Sequence, residues 1–370
     1  MVLRKKDIIN NFGMSLFQAY KGDKLPYPIG VDRKRDGQRM KVIVRNEKAF
    51  AFGRTGDEYY PPDYTEQLQY HIDEILRAVG KDSDVLDWHS WDCECKAIWK
   101  PGDEERWDSV WGKTQSIMKM GRVLKNGVYV FDKKLVDEEH MELLRTDIKL
   151  HVFDFVDLCV YEKPFADKTP LFLTDEEDIG DFESSRRGKL EYAYSLLRKK
   201  GKSMIHLEPL HIAYNKKEVT ALFKKFLKEG EEGAMLKFLD VPYVTFLRGP
   251  MGYKWKPIDT IDGVIVDVLP GNKGTKNEKR GGRYLVRLIK GKNKKGYIFG
   301  AEVKVNMRKD VERVEHYEKR KQLKGFIIEL QYQGSSKVSK ESLRSPQVRV
   351  DKKGKARIRF DLPKVKLKRA

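Results

Sequence analysis

The residues that could do chemistry begin with Lys34-Arg35-Asp36-Gly37-Gln38-Arg39. A lysine amine attacks only when uncharged, and with a free pKa of about 10.4 roughly one in a thousand is neutral at pH 7. Burial and neighbouring cations both favour the neutral amine. Arg33, Arg35 and Arg39 surround Lys34 in the chain, an arrangement that suits covalent catalysis on a phosphate substrate. A solvated charged turn is the plainer alternative for this stretch taken alone.

Further candidates follow in order. Arg54 stands between Gly53 and Gly56, where a ligand could approach the backbone closely. Glu94, in Asp92-Cys93-Glu94, lies among aromatic and apolar residues, an expensive place for a carboxylate without a hydroxyl, cation or metal to bind. Phe153-Asp154-Phe155 centres another apolar run. Glu232 and Lys237 flank Gly233-Ala234-Met235-Leu236, and Lys254 and Lys256 sit two apart, on one face of a strand. Each has a structural alternative: Phe153 as core, Glu94 or Glu232 as ion-pair partners, and the two lysines as a solvated edge.

The elements that must position these residues are mostly strands. Tyr27 to Val31 and Met40 to Val44 flank the lysine turn, and strands are expected over Val85 to Ile98 and Ile148 to Val160. Helices are expected over Glu66 to Val79, over 184–200 and over Asn215 to Gly230. The last has Asn215 and Glu218 as a capping pair and Gly230 as its stop. Residues 100–147 read as a polar, irregular surface insertion. After Ile261 to Val268 come short strands (Tyr284 to Ile289, Tyr297 to Val305, Phe326 to Tyr332, Arg357 to Phe360), with one helix over Lys309 to Leu323. That pattern suits an OB-type barrel.

Charge divides the chain. Residues 263–370 hold 31 Lys+Arg against 11 Asp+Glu, a net of +20, while residues 1–262 hold 44 basic and 45 acidic groups. A neutral body with a polyanion-binding appendage is the expectation, the polyanion being nucleic acid. Lys273, Lys276, Lys279, Arg280 and Arg283 in the 271–283 loop, and the tail 364–369, are phosphate-backbone candidates. Three cysteines make no disulfide framework and suit a reducing cytosol, and no second Cys/His pair supports a metal site at Cys93 and Cys95. No apolar run approaches the roughly 20 residues of a membrane span.

Taken together, these pieces resemble the ATP-dependent DNA ligases, a family of covalent nucleotidyltransferases. KRDGQR matches the family's lysine motif K-x-D-G-x-R. FGRTG, DCE, FDF, EGAMLK and KWK resemble the motifs that follow it, and Arg349-Val350-Asp351-Lys352 resembles R-x-D-K. The likeness runs from about residue 27 to 352, and the early lysine resembles the layout of compact phage and bacterial ligases.

The resemblance implies an α+β protein, with an antiparallel-sheet adenylation domain over 1–260 and an OB-fold DNA-binding domain over 261–370. It implies that Lys34 takes AMP from ATP, that Lys254 and Lys256 clamp the α-phosphate, and that Glu94 holds the ribose. Arg39 and Arg54 would face the sugar and phosphates, Phe153 the adenine, and Asp32 and Lys237 the same nucleotide pocket. Glu94 and Glu232 would bind Mg2+, for which Mn2+ can substitute, and Arg349 and Lys352 would orient the departing pyrophosphate. The implied substrate is nicked duplex DNA in replication, repair and recombination. The implied protein is a monomer in the cytoplasm of a bacterial cell or phage-infected host. Competing readings are an RNA ligase, an mRNA-capping guanylyltransferase, or an OB-type binding protein whose first 262 residues are a scaffold.

Overall fold

The computed structural model describes residues 14–45, 48–54, 57, 59, 89–107, 109–125, 128–157, 185–198, 205–244, 248–293, 296–333, 343, 346–351 and 353–365. The helix expected over Glu66 to Val79 lies outside them, as does the end of the basic tail. The chain divides into two compact units, 1–256 and 257–370. Among the described residues no helix is long and apolar enough to cross a membrane.

The first unit begins with β1 (Leu16–Ala19), β2 (Ile29–Lys34), β3 (Gln38–Arg45), β4 (Lys48–Gly53) and β5 (His89–Ala97). Next come α1 (Asp103–Arg106), α2 (Val110–Met118), β6 (Arg122–Lys125), β7 (Val128–Phe131), α3 (Glu138–Thr146) and β8 (Ile148–Asp157). It closes with α4 (Arg186–Arg198), β9 (Ile205–Leu207), β10 (His211–Ala213), α5 (Lys216–Lys228), β11 (Gly233–Lys237) and β12 (Arg248–Trp255). Two five-stranded sheets result, ordered β1-β12-β11-β2-β10 and β4-β3-β5-β8-β9.

The sheets meet through Phe17, Ile43, Phe52, Val156, Tyr243 and Met251. Strand alternation gives each sheet a second apolar face, which a helix must cover. On the first sheet, Ile29, Val31, Ala234 and Leu236 pack against Val219, Phe223 and Phe226 of α5. Asn215 caps α5 by accepting from the Glu218 N–H at 3.0 Å, and Glu218 accepts from the Tyr214 N–H at 2.8 Å. Gly230 ends it at φ +84°, the left-handed conformation glycine tolerates.

The reading of 100–147 as an irregular surface insertion is corrected. It carries three helices and the β6–β7 hairpin, and Ile117, Met118, Met141 and Leu144 join the core on the outer face of the second sheet. What made it look polar is partly an interior ion cluster. Lys113, fully buried, donates to Asp103 at 2.8 Å, Asp147 at 2.5 Å and the Ile98 carbonyl at 2.8 Å. Buried charges must be paired, and here the pairing ties α1, α2 and the start of β8 together.

The second unit holds β13 (Asp259–Pro270), β14 (Gly281–Asn293), β15 (Gly296–Asn306), α6 (Asp310–Glu318), α7 (Arg320–Leu323), β16 (Ile327–Tyr332), β17 (Gln347–Val348) and β18 (Ile358–Arg359). They form a six-stranded antiparallel sheet, β15-β14-β13-β16-β17, with β18 also on β16. Among the described residues no ladder joins β15 to β17, so a closed barrel is not formed by strand pairing. The single helix expected over Lys309 to Leu323 is two, interrupted at Lys319. The whole is a mixed α+β protein, rich in sheet and with few helices.

Candidate functional site

Alternation along β2 turns Asp32 and Lys34 away from Ile29 and Val31, which are held in the α5 core. After the turn at 35–37, the β3–β5 register sets Arg39 opposite Glu94 and Lys41 opposite Asp92. Gly37 is fixed by close approach: a Cβ there would lie 2.3 Å from the Cys95 carbonyl oxygen and 3.0 Å from Glu94 Cγ. Its N–H also donates to the Glu94 carboxylate.

A cavity of about 460 Å³ opens at this turn. Asp32, Lys34 and Arg39 line it from β2 and β3, and Arg54 from just past the end of β4. Glu94, Phe153, Lys237 and Lys254 line it from β5, β8, β11 and β12. Eight of the residues singled out in the sequence therefore share one space. Glu232 and Lys256 connect to it through Lys34, because the Glu232 carboxylate accepts from the ammonium of Lys34 with one oxygen and that of Lys256 with the other. Lys256 follows the last residue of β12 and so stands just past the strand instead of on it.

The expectation that cations crowd Lys34 is corrected. Arg33 pairs with Glu229 at 2.9 Å and approaches Glu208 at 3.6 Å. Arg35 pairs with Glu208 at 2.8 Å and with Glu231. Arg39 grips Asp92 with two nitrogens, at 2.9 and 2.5 Å. Each guanidinium near Lys34 in sequence is thus neutralised by a carboxylate distant in sequence.

Phe153 occupies a kink. The β5–β8 register passes from Asp92↔Asp154 to Cys93↔Val152, leaving Phe153 without a cross-strand partner. Such a bulge re-aims a side chain. Leu150, Val152 and then Phe155 all reach the outer core, so facing changes parity across the bulge. Phe155 is buried edge-on to Trp91 at 5.1 Å, and Phe153 of the FDF run is the ring left in the cavity. Lys237 Nζ lies 4.6 Å and the Arg39 guanidinium 5.3 Å from its centre.

Burial pushes the Glu94 carboxyl up to about 7; Glu232 adds to this, against the opposing pull of Lys34 and Arg39. Burial also raises Glu232, but Lys34 and Lys256 overcome it and hold that carboxyl below the usual range. Behind the cavity, burial lowers Lys41 to about 7 despite Asp92 and Asp154.

Several of these residues escaped the sequence reading. Asp92 carried a signal, since strand period places it on the face of Glu94, and His151 is likewise two residues from Phe153. Tyr243, whose hydroxyl donates to Asp92 at 2.6 Å, and Glu208, buried in the cavity wall, had none. Some predicted residues are not part of this space. Arg349 belongs to the second unit, where it lies 3.6 Å from Glu329, and Lys352 is outside the described residues. Lys273, Lys276, Lys279, Arg280 and Arg283 flank the start of β14. There Lys276 pairs with Asp310 at 3.1 Å and Arg283 donates to Asn272 at 2.6 Å.

The family model described as "ATP dependent DNA ligase domain" matches residues 21–256, which contain all of the cavity's lining except Leu16 and Phe17. The chain belongs to this family. ATP-dependent DNA ligases use ATP and a divalent metal, and the cavity's excess of cations suits a polyphosphate. No curated protein matches the sequence. Among solved structures, one described as "Pmar-Lig_Pre." has a TM-score of 0.59 at 21% identity, covering 94% of this chain and 68% of that one. A second, "Pmar-Lig_PreS3", has 0.58 at 20%, covering 91% and 66%. A third, from "DNA binding with a minimal scaffold: Structure-function analysis of Lig E DNA ligases", has 0.53 at 13%, covering 90% and 97%. These are likenesses of fold, and this ligase-family chain spans about two thirds of the length of the first two.

Proposed function

We propose that the protein seals nicks in duplex DNA by way of a lysyl-AMP and then a 5′-adenylated DNA. The observation that carries this is the shared Glu232 carboxylate, which holds Lys34 and Lys256 together at a cavity lined by Phe153, Glu94 and Arg39. In the first step Lys34 Nζ bonds to the α-phosphorus of ATP, the bond to the bridging oxygen breaks, and pyrophosphate leaves with the electron pair as the amine loses its proton. Phosphoryl transfer asks mainly for positioning and charge neutralisation. Lys254 and Lys256 supply that at the α-phosphate, Phe153 and Asp32 bound the base, Lys237 reaches from the same wall, Glu94 takes the ribose, and Arg39 and Arg54 hold sugar and phosphates.

Among the described residues no group of three or more His, Cys, Asp or Glu forms a protein cage for a metal. Glu94 and Glu232 nevertheless sense one another's charge, and two carboxylates completed by substrate phosphates and water fit Mg2+ or Mn2+. When bound, the ion supplies neutralisation of the phosphate charge.

The second unit, 261–370 in this reading, is an OB-fold that tracks duplex DNA through Lys273, Lys276, Lys279, Arg280 and Arg283. Arg349 and Lys352 orient the pyrophosphate. The protein works as a monomer in the cytoplasm of a bacterial cell or phage-infected host.

Incubation with α-labelled ATP or GTP, followed by a nicked-duplex sealing assay, tests the proposal. Label from ATP alone together with sealing supports it. Label from GTP indicates a capping enzyme, and no label indicates a binding protein.

A further inference from the structure

Two buried carboxylates stand on the cavity wall with unused acceptor capacity. Asp32 is 2% exposed; its Oδ2 pairs with Lys237 at 2.5 Å, while its Oδ1 accepts no hydrogen bond among the described residues. Glu208 is 1% exposed; its Oε2 accepts from Arg35 Nε at 2.8 Å. Its Oε1 accepts no hydrogen bond among them either, and the Arg33 guanidinium stays 3.6 Å away. Both residues line the cavity that holds Phe153. A buried carboxylate oxygen without a donor is costly, so such an oxygen on a ligand cavity calls for an N–H from the ligand.

The two oxygens impose a polarity on what enters. Burial raises the Glu208 carboxyl first, Arg35 and Arg33 oppose it, and the charge of Asp32 adds to it. With Arg35 and Lys237 engaged by the other oxygens, Oε1 and Oδ1 are left as acceptors for a ligand's donors. Beside the Phe153 ring, the purine edge that meets it must carry hydrogen. Adenine presents a 6-amino group, two donors on one nitrogen; guanine and hypoxanthine present a 6-oxo acceptor. A site built to hydrogen-bond a group rejects the analogue lacking it far more strongly than an apolar pocket rejects a change of size.

We infer that Glu208 is a specificity residue, whose Oε1, with Oδ1 of Asp32, accepts the 6-amino group of the adenine and sets ATP against 6-oxo purine nucleotides. The inference rests on the nucleotide-binding reading above. Of the nucleotide, Glu208 would meet only the base, so its loss alters selection without removing the nucleophile.

The test is single-turnover formation of the covalent nucleotide adduct, followed by intact mass, with ATP, ITP and GTP. The wild type should strongly prefer ATP. Glu208→Gln, whose amide can donate to a 6-oxo group, should lower the ATP-to-ITP ratio of kcat/KM at least tenfold, with the change in KM. Glu208→Asp keeps the charge that Arg35 needs but withdraws the oxygen; it should lower the same ratio by raising KM for ATP. A purely structural Glu208 would slow ATP and ITP equally, and an unchanged ratio in whichever variant folds overturns the inference. A wild type that forms no adduct with ATP overturns the nucleotide reading itself, and this inference with it.

Discussion

Lys34 and Lys256, far apart in the chain, are held side by side by the two oxygens of one carboxylate, Glu232. The pairing concentrates two cations where a phosphate must bind, and Glu232 keeps them from repelling one another before it does. Lys34→Ala should form no adduct with ATP, and Lys34→Arg should fail equally because a guanidinium stays protonated. Lys256→Ala should slow both adduct formation and sealing of a pre-adenylated nick by about 10²-fold, since the α-phosphate is present in each. Arg349→Ala should slow the first step alone. Rates on ATP and on pre-adenylated DNA separate these outcomes, and an adduct surviving in Lys34→Ala would move the nucleophile elsewhere.

Arg39 is aimed by a closed ring of hydrogen bonds. It donates to Asp92 and to the Ser15 carbonyl at 2.6 Å, Tyr243 donates to Asp92 at 2.6 Å, and the Ser15 N–H donates to the Tyr243 hydroxyl at 3.2 Å. Tyr243→Phe removes the hydrogen bond to the Asp92 carboxylate, a loss of about 1.5–3 kcal/mol, and also the acceptor of the Ser15 N–H, so denaturant unfolding should show at least that loss. If Tyr243 acts by positioning Arg39, KM for ATP should also rise roughly tenfold with kcat little changed. An unchanged KM would leave Tyr243 a structural role only.

Glu94 gives the protein a pH signature. Its folded pKa of about 7 lies above the ordinary glutamate value because of burial, so the folded state keeps a proton that the unfolded chain loses earlier. Its contribution to stability is present below about 4.5 and is lost as pH rises through 7. Glu94→Gln should flatten this decline between pH 4.5 and 7 in urea unfolding, and remove an inflection near 7 from the rate of adduct formation. Parallel pH profiles for variant and wild type would refute the assignment.

The loop between β13 and β14 offers a separate test. Replacing Lys273, Lys276, Lys279, Arg280 and Arg283 with alanine should weaken nick binding and flatten its salt dependence. The slope should fall by about 0.9 log unit per log salt for each phosphate that the variant no longer neutralises. Adduct formation with ATP should be unaffected. A salt slope equal to wild type would place the DNA-binding surface elsewhere.

Much of the fold was legible because local rules act over short stretches. Asn215, Glu218 and Gly230 specify α5 by capping, and short apolar runs marked β2, β3 and β8. The sequence also determined the order of the motif residues and the basic charge of the last third. Which charges stand free was decided only in three dimensions. Arg33, Arg35 and Arg39 crowd Lys34 in the chain, yet Glu208, Glu229, Glu231 and Asp92 claim them in space. The 100–147 segment looked polar because Lys113, Asp103 and Asp147 satisfy one another indoors. The choice of Phe153 over Phe155 as the cavity ring depends on a one-residue bulge against β5. A sequence records each residue's polarity and its place in a period. Pairing partners and strand register are properties of two segments at once, and those the tertiary structure alone supplies.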